Sequence, residues 1–173
     1  MNTTDEYINN HIEQVRFKLM SIASKLIDRA YKHDSSKLRE PEYALWCNMD
    51  KEPRYKYGTK EYKDKIKRYK QVFDLHYAEN RHHPEHYFLG VDDMDLIDMI
   101  EMVCDWISYK KDITIDEAIE MINTQGERYK LSPQLQNILK NTLFNHFSTL
   151  VQTTSIFNKQ KDNPKDHLID IEI

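Results

Sequence analysis

Apolar residues recur at steps of three and four from Ile8 through Ile12, Val15, Leu19, Ile22 or Ala23 and Leu26 to Ala30. That period matches a helix with one apolar face. No strong break interrupts the stripe before His33, and Thr3, Thr4, Asp5 and Glu6 supply capping chemistry ahead of a start near Tyr7. The chain as a whole is poor in turn formers, with 3 glycines and 5 prolines in 173 residues. Such scarcity argues against a many-stranded sheet and predicts an all-α fold.

Further helices follow from the same reasoning. Pro41 suits the first turn of a short helix over 42–49, and residues 51–58, with Pro53 and Gly58, read as a loop. One long helix is expected from Lys60 to about Asn80, with Pro84 ending or interrupting it. Gly90 opens the next, running to about Lys110 and more apolar than any other segment. A helix over 112–125 has Thr114 as its expected cap, and Ser132-Pro133 opens a last one toward Val151. The expected organisation is a single helical domain over 1–157 and a polar tail over 158–173, which is disordered, strand-forming or a partner contact.

A net charge of -4 gives no global attraction to nucleic acid. Lysines and arginines over 51–70 interleave with Tyr55, Tyr57, Tyr62 and Tyr69, but Glu52, Glu61, Asp64 and Asp74 dilute that patch. A solvated helix face explains it, so nucleic acid is not an expected partner. Cys47 and Cys104 form no CxxC pair and sit among apolar neighbours. They read as reduced, buried thiols of a cytoplasmic protein. No apolar run reaches the roughly 18 residues of a membrane span, so no membrane partner is expected. A homodimer through the apolar helices stays open.

Five of the 8 histidines flank the lysine-rich stretch. His33-Asp34 closes the first helical pattern, and His76, His82, His83 and His86 fall within eleven residues. Neutral imidazole is the commonest protein ligand for divalent metals. An adjacent His and Asp can both face one ion only where the backbone turns sharply, because helical neighbours point about 100° apart. His76, Asn80 and His83 follow i, i+4, i+7 spacing and share a face if the helix survives to Pro84. Asp98, Glu101 and Asp105 make a carboxylate stripe on an apolar helix. For Asp98 and Glu101 a solvated face is an equal reading. Asp105, between Cys104 and Trp106, is the stronger candidate for a buried carboxylate, whose usual compensation is a metal or a cation. His11 lies 22 residue steps before His33, about 33 Å in a straight helix. It reaches the others only if that helix breaks.

The order His11, His33-Asp34, His76, His82-His83, Asp105 resembles the HD-domain metal-dependent phosphohydrolases. In that superfamily a His, a His-Asp pair and a later Asp on helices bind a divalent ion, and some members add histidines for a second. His33-Asp34-Ser35-Ser36-Lys37 is similar to the superfamily's His-Asp-x-Gly-Lys segment, with Ser36 in place of glycine. Cys104-Asp105 is similar to the pair that closes the motif. The gap between His11 and the pair is short for that superfamily. Over roughly residues 7 to 110 the chain resembles more closely a group of small, functionally uncharacterised proteins of phages and phage-rich bacteria. They share His-Asp-x-Ser-Lys, then Asn-x-His-His-Pro-Glu-His, then Glu-Met-x-Cys-Asp-Trp.

The resemblance implies an HD-like helical bundle in which His11, His33, Asp34 and Asp105 hold one ion. His76 with His82 or His83 would complete a second or expanded site. Mixed imidazole and carboxylate ligands suit Mn, Fe, Co, Ni or Zn, one or two ions. Lys37 is the expected phosphate partner, and Glu40 or Glu85 the expected general base or supporting carboxylate. The expected substrate is a small phosphorylated molecule, a nucleotide by preference. The competing expectation is a regulatory or binding protein whose metal, if any, is structural.

Overall fold

The computed structural model describes residues 3–56 and 58–157, the last ten by backbone alone. The tail over 158–173 and Tyr57 lie outside the described residues. Seven α-helices and no strand occur among those described, so the fold is all-α. Helix α1 spans Thr3–Lys32, α2 Glu42–Asp50, α3 Lys60–Arg68 and α4 Lys70–Glu79. Helix α5 spans Leu96–Ser108, α6 Ile115–Arg128 and α7 Pro133–Phe157.

Two apolar clusters organise these helices. Val103 and Ile107 of α5 pack with Ala118 and Ile122 of α6 and Leu139 and Leu143 of α7. Ile122 and Leu143 are fully buried, and each contributes about 1.5–3 kcal/mol of hydrophobic stabilisation. Trp46 and Met49 of α2 pack with Val72 and Phe73 of α4 in the second cluster. Capping chemistry sets two helix starts. Asp95 and Asp98 close a reciprocal cap on α5, and Thr114 and Glu117 do the same on α6.

Three expected boundaries move. The long helix over 60–80 is two helices, meeting at Tyr69, whose φ of -99° and ψ of 21° leave the helical region. Packing favours the break over local propensity: Arg68 of α3 pairs with Glu52, while Val72, Phe73 and His76 of α4 turn inward. Residues Gly90–Asp93 form a separate 3-10 turn, and α5 starts later at Leu96, where Asp95 caps it. Helix α4 ends at Glu79, with Asn80 extended.

Helix α1 runs unbroken and has no buried residue. Among the described residues only its C-terminal end carries long-range ion pairs: Arg29 bonds Asp98 and Glu101 of α5, and His33, just past α1, bonds Glu101. Residues a turn apart on α1 thus meet residues a turn apart on α5 in the same order, so the two helices run side by side in one direction. The body of α1 extends past the N-terminal end of α5. Among the described residues no helix is long and apolar enough to cross a membrane.

Candidate metal centre

Four segments converge on one polar cluster. His33 follows the last residue of α1, and Asp34 follows it in the left-handed region with φ 53° and ψ 14°. Aspartate tolerates that conformation better than most residues. The turn it makes brings His33 and Asp34 to the same place, as the adjacent pair requires. His76 comes from α4, His82 and His83 from the turn after it, and Asp105 from α5.

Asp34 lies at the centre. Its Oδ1 is 3.3 Å from His76 Nε2 and 3.5 Å from His82 Nε2. Its Oδ2 is 3.5 Å from His33 Nε2. Asp105 approaches His33 Nε2 at 3.5 Å and His82 Nε2 at 3.9 Å, and the Nε2 atoms of His76 and His83 are 2.8 Å apart. Two groups of four have ligand atoms all within 4.8 Å of one another: Asp34, His76, His82 and His83, and His33, Asp34, His82 and Asp105. They share Asp34 and His82.

The opposite sides of three of the rings are anchored. His76 Nδ1 is 2.8 Å from Glu42 Oε1. His33 Nδ1 and His82 Nδ1 lie 3.0 and 3.2 Å from the same oxygen of Glu101. With Nδ1–H donating to a carboxylate, the Nε2 atoms of His76 and His82 present lone pairs toward Asp34. Carboxylates behind imidazoles are the usual supporting arrangement of metal-ligating histidines. Glu42 is itself fixed by Trp46, whose Nε1–H donates to it at 2.8 Å.

Two atoms test whether a cation fits. Among the described residues Asp34 Oδ1 and His82 Nε2 are buried with no hydrogen-bond partner, and a buried polar atom without a partner is costly. Both belong to both groups of four. Six of the pairwise distances, from 2.8 to 3.9 Å, lie around the about 3.3 Å edge of a tetrahedron with metal–nitrogen bonds near 2.05 Å, and all ligand atoms of each group stay within 4.8 Å. The donor set suits a divalent transition metal.

Protonation favours the same role. Burial opposes ionisation of Asp34, but His76 beside it and the Lys37 ammonium outweigh burial and hold the carboxyl below its usual range. Glu101 is likewise held low, with the His33 and His82 hydrogen bonds overcoming burial. Burial first, then the neighbouring His82 and His76, push His83 down to about 2, so it stays neutral. Hydrogen bonds with Asp105 and then Glu101 push His33 up to about 10 against burial. In the ion-free protein His33 is therefore the group that carries a compensating proton.

Six of the seven sequence-predicted metal ligands meet here: His33, Asp34, His76, His82, His83 and Asp105. His11 does not, because α1 never breaks and keeps it exposed. Lys37 is at the edge, its Nζ 2.7 Å from Asp34 Oδ2 and 5.0 Å from the centre of the Trp46 ring. Glu40 is exposed, and the carboxylate this segment sends inward is Glu42. Glu85 faces away, accepting from the Tyr129 hydroxyl at 3.0 Å and pairing with Arg128. His86 donates through Nδ1 to the Tyr77 carbonyl at 2.7 Å. Asn80 ties the turn down, its Nδ2 donating to Ser36 Oγ and to the His76 carbonyl, both at 2.8 Å. The Ser36 side chain is thus used. Asp98 is not solvated but buried against Arg29, Arg81 and Tyr87. Cys47 and Cys104 are free and half-buried, not fully buried.

Comparison with curated proteins and with solved structures gives no match. A family model matches residues 1–145, which include every residue of the cluster. The chain therefore belongs to the family described as a family of unknown function, DUF5662.

Proposed function

We propose that the chain is a metal-dependent phosphohydrolase acting on a small phosphorylated substrate of nucleotide type. The observation that carries this reading is that the cluster is closed on one side and open on the other. His76, His82 and His83 are buried, whereas His33 and Asp105 keep 32% and 30% of their side-chain surface. Lys37, itself 23% exposed, pairs with Asp34 Oδ2, the oxygen that faces His33. Catalytic metal sites keep one side for water or substrate.

Asp34, His82 and the flanking His33, His76, His83 and Asp105 would hold Mn, Fe, Co, Ni or Zn, as one ion or two. Such an ion supplies a water of lowered pKa and a Lewis acid for phosphoryl oxygen. The chain's own residues do the rest. Glu42 and Glu101 fix the imidazoles so that their lone pairs point inward. The Lys37 ammonium would pair with a phosphate oxygen and offset charge that grows during displacement. Burial of three histidines keeps bulk water from the inner side.

A second reading has its own observation. Asp34, His76, His82 and His83 form an enclosed set of four, the pattern of a structural metal site, which suits a regulatory or binding protein. Turnover separates the two. Metal-loaded full-length protein is assayed against phosphomonoesters, phosphodiesters, nucleoside mono-, di- and triphosphates and cyclic nucleotides. The hydrolase reading expects phosphate release that Asp34→Asn abolishes and that Lys37→Ala slows about 10²-fold in kcat/KM. Bound metal with no turnover across the panel would favour the structural reading.

A further inference from the structure

The unsupported length of α1 carries an inference independent of the proposed hydrolase. Ile8, Ile12, Val15, Leu19, Ile22 and Leu26 follow steps of four, three, four, three and four. That is the 3.5-residue period of a coiled-coil seam, sustained over 18 residue steps or about 27 Å. The side chains face solvent: Ile8 is 48% exposed, Leu19 61% and Ile22 51%. Leu26, at the C-terminal end, is half-buried, and Arg29 beyond it reaches α5. The seam is thus the continuation of the face by which α1 docks on α5, carried on past the end of α5.

Charges beside the seam define what fits. His11, Lys18 and Lys25 line one edge and Arg16 the other, and no acid stands at a flanking position between residues 9 and 25. Arg16 is paired with Glu13, whereas Lys18 and Lys25 make no ion pair among the described residues. Flanking charges set partner choice in paired helices. A second copy fits poorly. An antiparallel pair sets Lys18 against Lys18 and Lys25 against His11, and a parallel pair sets His11 against Arg16. Neither places an acid opposite a lysine.

We infer that the exposed seam of α1 is a docking surface for a helix of another protein, with apolar residues at matching spacing and carboxylates beside them. The probes are two labelled three-heptad peptides with leucine at the seam positions, one flanked by glutamates and one by lysines. Each is titrated with the full chain by fluorescence anisotropy. The glutamate-flanked peptide is expected to bind about tenfold tighter or more, with the gap closing in about 1 M salt. Ile12→Asp/Leu19→Asp, which alters no buried residue, is expected to abolish binding while helicity is kept. Lys18→Glu/Lys25→Glu is expected to reverse the preference. Equal binding of both peptides, or of neither, would overturn the inference. So would a dimer of the chain in light scattering that Leu19→Asp dissolves, or seam-dependent binding to anionic vesicles without peptide binding.

Discussion

Glu101 shows how much one side chain can organise. It accepts from the Nδ1 atoms of both His33 and His82 and from Arg29, so one carboxylate orients two candidate ligands. Replacing such a partner typically costs 10–100-fold in metal affinity. Glu101→Gln is therefore expected to weaken metal binding by about that factor, read by competition against a fluorescent chelator. Unchanged affinity would mean the rings need no support. His33-Asp34 and the crowded histidines after His76 were legible in the sequence because ligand chemistry is written in side-chain type and short spacing. Glu42 and Glu101 were not legible in that role, since they meet His76 and His33 across 34 and 68 residues. Glu40, two positions away from Glu42, carried the same local signal and faces solvent. His11 carried the resemblance but not the geometry.

At the scale of the element, α5 joins the site to the fold. Its carboxylates at i, i+3 and i+7 divide the labour: Asp98 and Glu101 take Arg29 of α1, and Asp105 takes His33. The spacing was readable, but which carboxylate meets a cation is decided by α1, far away in sequence. Asp98 also receives Arg81 and the Tyr87 hydroxyl. Burial opposes its ionisation, but the hydrogen bonds from Arg81 and Tyr87 outweigh it, so its pKa falls below the ordinary 3.8. A lowered carboxylate pKa contributes stability that is present above the unfolded value and is lost as pH falls through the folded one. Asp98→Asn is expected to cost about 3 kcal/mol at neutral pH, because it leaves Arg29 and Arg81 short of a partner. It should also flatten the loss of stability below about pH 5. Denaturant titrations at several pH values check both. An acid limb as steep as the wild type's would place the linkage elsewhere.

For the whole molecule, helical content was predictable from period and from the lack of turn formers, and an all-α fold resulted. The break at Tyr69 and the late start of α5 were not predictable, because both answer to packing and capping between distant segments. The cluster draws on the turn after α1, on α4 with its following turn, and on α5. An ion held there can exist only in the folded chain. Metal at about 100 times its Kd adds about 2.7 kcal/mol by linkage, or roughly 5–10 °C in Tm for a chain of this size. Thermal unfolding of chelator-treated protein should rise by that much on adding Mn²⁺ or Zn²⁺, and Asp34→Asn should show no rise. An equal rise in the variant would mean that the ion binds elsewhere.

In the proposed function Asp34 and the histidines around it hold a divalent ion. Metal content of untagged full-length protein, measured by mass spectrometry beside His33→Ala/Asp34→Ala, tests it directly. The prediction is one or two transition-metal ions per chain, lost in a variant that circular dichroism shows to be folded. No bound metal in the wild type, even after reconstitution, would contradict the account and leave the cluster as a buried hydrogen-bond network.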